Sequence, residues 1–429
     1  MGKKINNEAF IKALTKCLNS FIDSSNAIKE HFLKSLSKEL KAQIVYTNSA
    51  NKIYSELKEL ENDEKESVTL DEYISWTNLH NVYKNVDSCK FLTKLIPGNI
   101  IVSMLSSFDY YVFCLVHNML EHDIKLFSNL DIKISYKDIS SLNSIEEIKE
   151  YNLSSFIENL FLGSHDELFT LMETKLSINN LKKMEKYKDF IFIAELRNII
   201  VHHDSKISLK FKSNMSKYNI KLKNYDVFDK DGYIDFSVER ILWIIDVCRF
   251  IAIQMFLLIA QRYSRRNEKL KSRYINDVNN ICVEMIRNNN VELAQDIFNL
   301  MLSKERTKNE LFLLLINKAL CLKTAGKMDE MKEFIASIEW GNAENDYLLA
   351  KYILLNDDDS ALNYMDKVDL LNWQCGYQDW PLCTQFVKNA KFKEKYETIY
   401  GCKFERKVTK GKLSEKEIVD MYESYKSNT

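Results

Sequence analysis

Apolar residues recur at helical spacing along most of the chain. In residues 1–62 they fall at Phe10, Ile11, Leu14, Leu18, Phe21 and Ile22, and again at Ile53, Leu57 and Leu60, which predicts two or three amphipathic helices. The acidic run ENDEKES (61–67) then predicts a solvated linker. Pro97-Gly98 marks an expected helix start, and the long apolar run at 99–127 reads as a central buried helix. Its one interior acid, Asp109, needs a partner or a site, because a lone buried charge is costly. Short helices are expected over 131–180. A second strong helix is expected over 181–203, apolar in its later part except for Glu195, Arg197, Asn198, His202 and His203.

The texture then changes. Segments 206–212, 218–223 and 233–238 alternate polar with apolar residues around a DKDG turn signal at 229–232, which predicts a short β-hairpin insertion. An apolar helix to residue 263 closes this domain, and RRNEKLKSRY (265–274) reads as a basic, solvated junction. Beyond it, segments 288–302, 325–338 and 356–368 overlay with Ala294, Met331 and Ala361 in the same slot. Each has a polar turn, an acidic helix start and an apolar stripe. This resembles degenerate tetratricopeptide-like helical hairpins, whose period is about 34 residues. The expected organisation is an N-terminal helical segment (1–67), a central domain (68–263), a basic junction (264–274) and a helical-repeat domain (275–429).

Composition supports an all-α chain. With 429 residues it holds only two prolines and nine glycines, and neither residue suits helix interiors. Sixty basic residues against 61 acidic ones leave no global positive field, so any nucleic acid must be recruited by local patches. The nine cysteines form no CxxC pair and sit partly in apolar runs, which reads as reduced core thiols in a cytoplasmic protein with no metal site and no cofactor. The stretch 241–260 carries Asp246, Arg249 and Gln254, and is expected to be a core helix with no membrane role.

The sharpest chemistry lies in ELRNIIVHHD, residues 195–204. At about 100° per residue, Glu195, Asn198 and His202 share one helix face within about 60°, and the long Arg197 side chain reaches towards it. An imidazole titrates near neutrality and moves protons, a guanidinium grips phosphate oxygens, and an amide orients either. That set suits metal-independent RNA cleavage, in which a ribose 2′-OH attacks the adjacent phosphate.

The run Arg197-Asn198-Ile199-Ile200-Val201-His202 resembles the Rx4-6H motif of HEPN domains, and SSFDYYVFCLV around Asp109 resembles the acid-bearing earlier helix of many members. The likeness covers roughly residues 90–263. It implies a HEPN-like helical bundle and an endoribonuclease acting as a homodimer, as a toxin or antiviral abortive-infection effector. Arg197 and His202 carry over as catalytic residues and Asn198 as the polar second position. Asp109 and Glu195 carry over as groups that orient Arg197 or His202. The doubled His203 becomes the functional histidine if the spacing is counted as five. A protein trigger or antitoxin is the expected partner of the C-terminal array. The alternatives are a non-catalytic HEPN scaffold and a helical-repeat adaptor that binds RNA, a nucleotide or a protein.

Overall fold

The computed structural model describes residues 6–60, 70–123, 125, 126, 135, 140, 142–225, 227–265, 267–303 and 307–405. The helices, in chain order, are α1 (Asn7–Leu60), α2 (Leu70–His122), α3 (Ile145–Leu160), α4 (His165–Lys175), α5 (Tyr187–His202), α6 (Leu209–Lys217) and α7 (Val238–Ser264). Then come α8 (Glu268–Arg287), α9 (Val291–Leu302), α10 (Lys308–Thr324), α11 (Met328–Ala336), α12 (Asn345–Leu355), α13 (Asp358–Tyr364), α14 (Leu370–Asp379) and α15 (Ala390–Tyr400). The fold is all-α, with no strand among the described residues. The described residues form two compact units, one within residues 16–256 and one from residues 6–15 with 257–405.

Two helices are longer than the pattern predicts. Residues 7–60 form one helix of 54 residues, because no proline or glycine interrupts the run. Likewise α2 passes straight through Pro97, where a helix start was expected. An interior proline forfeits one backbone bond and costs about 3 kcal/mol, which 53 residues of helix with a buried face absorb. Gly98 faces α5: a Cβ there would sit 3.4 Å from Ile200 Cγ2, at the edge of ordinary van der Waals contact. Away from this contact, α1 and α2 pair through Ala50, Leu57 and Leu79, flanked by Ile53 and Val82. The acidic run 61–67 lies outside the described residues.

In the first unit α2 and α5 run antiparallel through the core. Phe108 meets Phe190 with ring centroids 4.5 Å apart, and Phe169 stacks on Phe190 at 5.6 Å. Helix α7 is long and strongly apolar, and most of it is buried inside the protein. By length and composition α2 and α7 could each cross a membrane. Arg249 of α7 is 2% exposed. It donates from Nε to Ser25 Oγ (2.8 Å), from Nη2 to Asn26 Oδ1 (2.6 Å) and from Nη1 to Asp246 Oδ1 (3.2 Å).

The expected β-hairpin is replaced by α6 and two isolated antiparallel bridges, Lys206 with Tyr233 and Phe228 with Ile234. The alternation of Ile207, Leu209 and Phe211 misleads here. Phe211 and Met215, four apart, are the buried pair, Leu209 is 86% exposed, and the Ser208 hydroxyl caps the helix by accepting from the Phe211 N–H at 3.1 Å. The turn at 229–232 does form, with Asp229 Oδ1 accepting from the N–H groups of Asp231 (2.9 Å) and Tyr233 (2.8 Å).

The second unit is a run of helix pairs packed across short turns: α8 with α9, α10 with α11, and α12 with α13. The basic stretch is not extended, since residues from Glu268 onward belong to α8, capped by Asn267. All three turns share one construction. Asn289, Gly326 and Asn356 have φ of +59°, +77° and +57°. The next N–H in each turn reaches back five residues, from Asn290 to Met285 (2.8 Å), Lys327 to Leu322 (2.9 Å) and Asp357 to Tyr352 (3.0 Å). This is a Schellman-type helix end. Five residues after each left-handed residue stands the shared slot of the overlay, and Ala294, Met331 and Ala361 are each 0% exposed.

Candidate functional site

Helix α5 is buried almost all round up to Leu196, and exposure begins at the motif. Every residue from Phe190 to Leu196 is buried, Arg197 and Asn198 are half-buried, and Val201, His202 and His203 are exposed. Arg197 Nη1 donates to Asn198 Oδ1 at 3.4 Å, a long contact that leaves most of the guanidinium fork open. His202 ends the helix and His203 caps it, with its N–H bonded to the Ile199 carbonyl at 3.0 Å.

The chain after the histidines is tightly held. Asp204 and Ser205 take φ of +49° and +61°, a left-handed conformation disfavoured for side-chain-bearing residues. They are fixed by bonds from the Ser205 N–H to the Ile199 carbonyl (3.1 Å), the Lys206 N–H to the His203 carbonyl (2.9 Å) and the Ile234 N–H to the Ser205 carbonyl (2.9 Å). The histidines therefore stand on a pinned helix end.

Glu195 lies elsewhere than on an open face. It is 7% exposed, and it accepts from Asn214 Nδ2 of α6 at 2.9 Å. This bond joins α6 to α5 less than one turn before Arg197. Glu195 supports the motif helix through α6 and has no contact with Arg197 or His202.

Asp109 is not brought to the motif at all. The antiparallel register, with Gly98 against Ile200 and Phe108 against Phe190, sets Asp109 level with about residue 189. Arg197 is then roughly 12 Å away along the axis and His202 roughly 20 Å, at about 1.5 Å per residue. The partner of Asp109 is His165, whose Nε2 lies 2.9 Å from Asp109 Oδ1, with the imidazole edge-on to Phe190. The sequence pattern does not single out His165, and no local spacing links positions 56 residues apart.

Beside this pair, Asp166 accepts from the Tyr187 hydroxyl and from Lys182 Nζ, the latter at 2.6 Å. Burial alone would raise the Asp166 pKa, but these two donors and the lysine charges hold it below the usual carboxylate range. Burial, reinforced by Asp166, pushes the Tyr187 hydroxyl well above the ordinary tyrosine value. This cluster ties α4 to α5. Among the described residues no group of three or more His, Cys, Asp or Glu is placed to hold a metal ion.

No protein-family model, curated protein or solved structure matches this chain. The site therefore stands on its own geometry: a guanidinium, an amide and two imidazoles at the accessible end of a core helix. Arg197 and His202 are five residues apart, so an ideal helix separates them by about 140° and roughly 7.5 Å along the axis. Within one chain no hydrogen bond joins them, and the guanidinium reaches Asn198 instead.

Proposed function

We propose that this chain is a metal-independent endoribonuclease of HEPN type, cytoplasmic and active as a homodimer. Arg197 steadies the phosphate oxyanions, His202 moves the proton, and Asn198 orients one or the other. His203 is the alternative proton carrier. The observation that carries this reading is the accessibility pattern of α5: buried from Phe190 to Leu196, half-buried at Arg197 and Asn198, and exposed at His202 and His203. An exposed imidazole can carry a proton and an open guanidinium fork can grip phosphate oxygens, which supports this reading.

The angular separation of Arg197 and His202 favours a composite site. Two copies of α5 meeting at their exposed ends would bring the arginine of one chain towards the histidine of the other, across one scissile phosphate. The biological role that goes with the HEPN likeness is that of a toxin or antiviral abortive-infection effector. The stacked helix pairs of the second unit, tetratricopeptide-like in their spacing and their shared turn, supply a surface for a protein trigger or antitoxin.

The test compares wild type, Arg197→Ala and His202→Ala on total RNA in EDTA, with and without extract from phage-infected cells as a source of trigger. Cleavage that leaves 2′,3′-cyclic phosphate ends, and that falls about 10²-fold or more in each variant, is the expected outcome. RNA binding without cleavage in all three proteins supports the non-catalytic scaffold, a reading favoured by the lack of Arg197–His202 contact within one chain. Indifference of both binding and cutting to the two substitutions leaves a helical-repeat adaptor.

A further inference from the structure

The segment that follows the two histidines has an unusual charge. Between Ser205 and Tyr225 the chain carries six lysines, at 206, 210, 212, 217, 221 and 223, and no aspartate or glutamate. The whole protein has a formal net charge of −1, so this is a local excess. All six lysines are exposed.

Some lysines elsewhere on this protein pair with carboxylates: Lys34 with Glu30, Lys182 with Asp166, Lys391 with Asp359 and Lys395 with Asp366. In the 205–225 segment none does. Lys206 lies over the Tyr233 ring, its Nζ 4.8 Å from the centroid, and Lys217 lies over Tyr218. Asp166 and Glu167 face Lys217 at longer range, so it is the most neutralised of the six. The other five have no carboxylate partner.

The placement of this segment gives the charge a direction. Helix α6 is fastened to the motif helix by the Asn214–Glu195 bond at 2.9 Å, and Lys206 is bonded through its backbone N–H to the His203 carbonyl at 2.9 Å. Lys206, Lys210 and Lys212 are thus held on elements anchored at both ends of the Arg197–His203 stretch, and Lys221 and Lys223 lie further along, beside Tyr225, whose hydroxyl donates to Asp189 Oδ1 of α5 at 2.7 Å. A protein with no global positive field needs such a strip if it is to gather a polyanion at this point.

We propose that the α6 segment, through Lys206, Lys210, Lys212, Lys221 and Lys223, is a phosphate-backbone track that guides single-stranded RNA to the open end of α5. This inference rests on the ribonuclease reading for the identity of the polyanion, and its test measures binding alone. Lysines contact phosphates as point charges without reading bases, so the track is sequence-tolerant and salt-sensitive. An anionic lipid surface would draw the same lysines by charge, but what favours RNA is their attachment beside the open end of α5, together with the small apolar area on offer for insertion. Here α6 exposes a single large apolar residue, Leu209, and buries Phe211 and Met215.

The experiment uses full-length protein and a fluorescein-labelled, 2′-O-methylated oligoribonucleotide of about 20 nucleotides, which cannot undergo 2′-OH attack. Fluorescence anisotropy is followed from 50 to 200 mM salt for wild type, for Lys206→Gln/Lys210→Gln/Lys212→Gln, and for a control of equal charge change, Lys332→Gln/Lys391→Gln/Lys393→Gln. With a salt slope of about −0.7 per phosphate contact for single strands, loss of three contacts flattens the log–log slope by about 2. It also weakens binding about tenfold or more at 100 mM salt, while the control stays within about twofold.

Absence of binding by wild type overturns the track, as does an equal loss in the control. So does unchanged RNA binding in the first triple variant combined with loss of its binding to phosphatidylserine vesicles, which would assign the strip to a membrane. Cleavage that depends on Arg197 and His202 can survive each of these outcomes, so failure of the track and failure of the ribonuclease reading are separable.

Discussion

Ser25 carries more than a hydroxyl usually does. Its Oγ accepts from Arg249 Nε at 2.8 Å, and Arg249 is among the most deeply buried charges in the first unit. Ser25→Ala leaves a buried guanidinium donor unmet, which should cost about 1–3 kcal/mol, read as a lower urea midpoint with the slope unchanged. Asp166 gives a pH signature. Its folded-state pKa is depressed by Lys182 and Tyr187 against the opposing effect of burial. Its stabilisation is therefore complete above the ordinary carboxylate value and is lost as pH falls through the lower folded-state value. Thermal melts of Asp166→Asn should lose less stability on acidification than wild type. Equal acid sensitivity in the two proteins would remove Asp166 from the account. At this scale the sequence discloses only what is local. Arg197, Asn198, His202 and His203 are legible because they lie within two turns of one helix. The partners of Asp109 and Glu195, His165 and Asn214, are 56 and 19 residues away and depend on packing that no spacing rule encodes.

Elements are legible where a helix has a stripe and a punctuation mark, and illegible where two signals compete. The overlay of Ala294, Met331 and Ala361 works because each follows a left-handed turn residue by five positions, and turn chemistry with burial is written locally. The 206–212 alternation fails because a capping serine and an i, i+4 apolar pair outweigh period-two patterning in so short a run. Pro97 fails as a boundary because the cost of one lost bond is small against 53 residues of helix. The shared turn yields a prediction with opposite signs. Gly326 occupies a left-handed position, so Gly326→Ala should destabilise the second unit by about 1 kcal/mol. Asn289→Gly and Asn356→Gly at the equivalent positions should be neutral or stabilise by up to about 0.5–1 kcal/mol. Chemical denaturation followed by circular dichroism distinguishes the three variants. Uniform destabilisation would mean that the turns are not equivalent.

At the scale of the whole molecule, the nine cysteines sample both units at once. None is paired in a disulfide. Cys375 and Cys402 are exposed, Cys17 and Cys114 are half-buried, and Cys89, Cys248, Cys282, Cys321 and Cys383 are buried. Reaction with an aromatic disulfide needs both access and thiolate, and burial withholds both. Burial pushes Cys321 up to about 12 and, with the adjoining Cys114, Cys17 up to about 11; it also raises Cys248 and Cys282 well above the ordinary thiol value. At pH 8 the native protein should show two fast thiols, mapped by mass spectrometry to Cys375 and Cys402. Cys17 and Cys114 should follow more slowly, and the five buried thiols should react only in denaturant. Because Cys248 lies in α7 of the first unit, and Cys282 and Cys321 lie in α8 and α10 of the second, their release along a denaturant series reports each core separately. Fast labelling of Cys248 in the native state would contradict a packed α7, and with it the buried helix bundle that holds α5 and its arginine–histidine end in place.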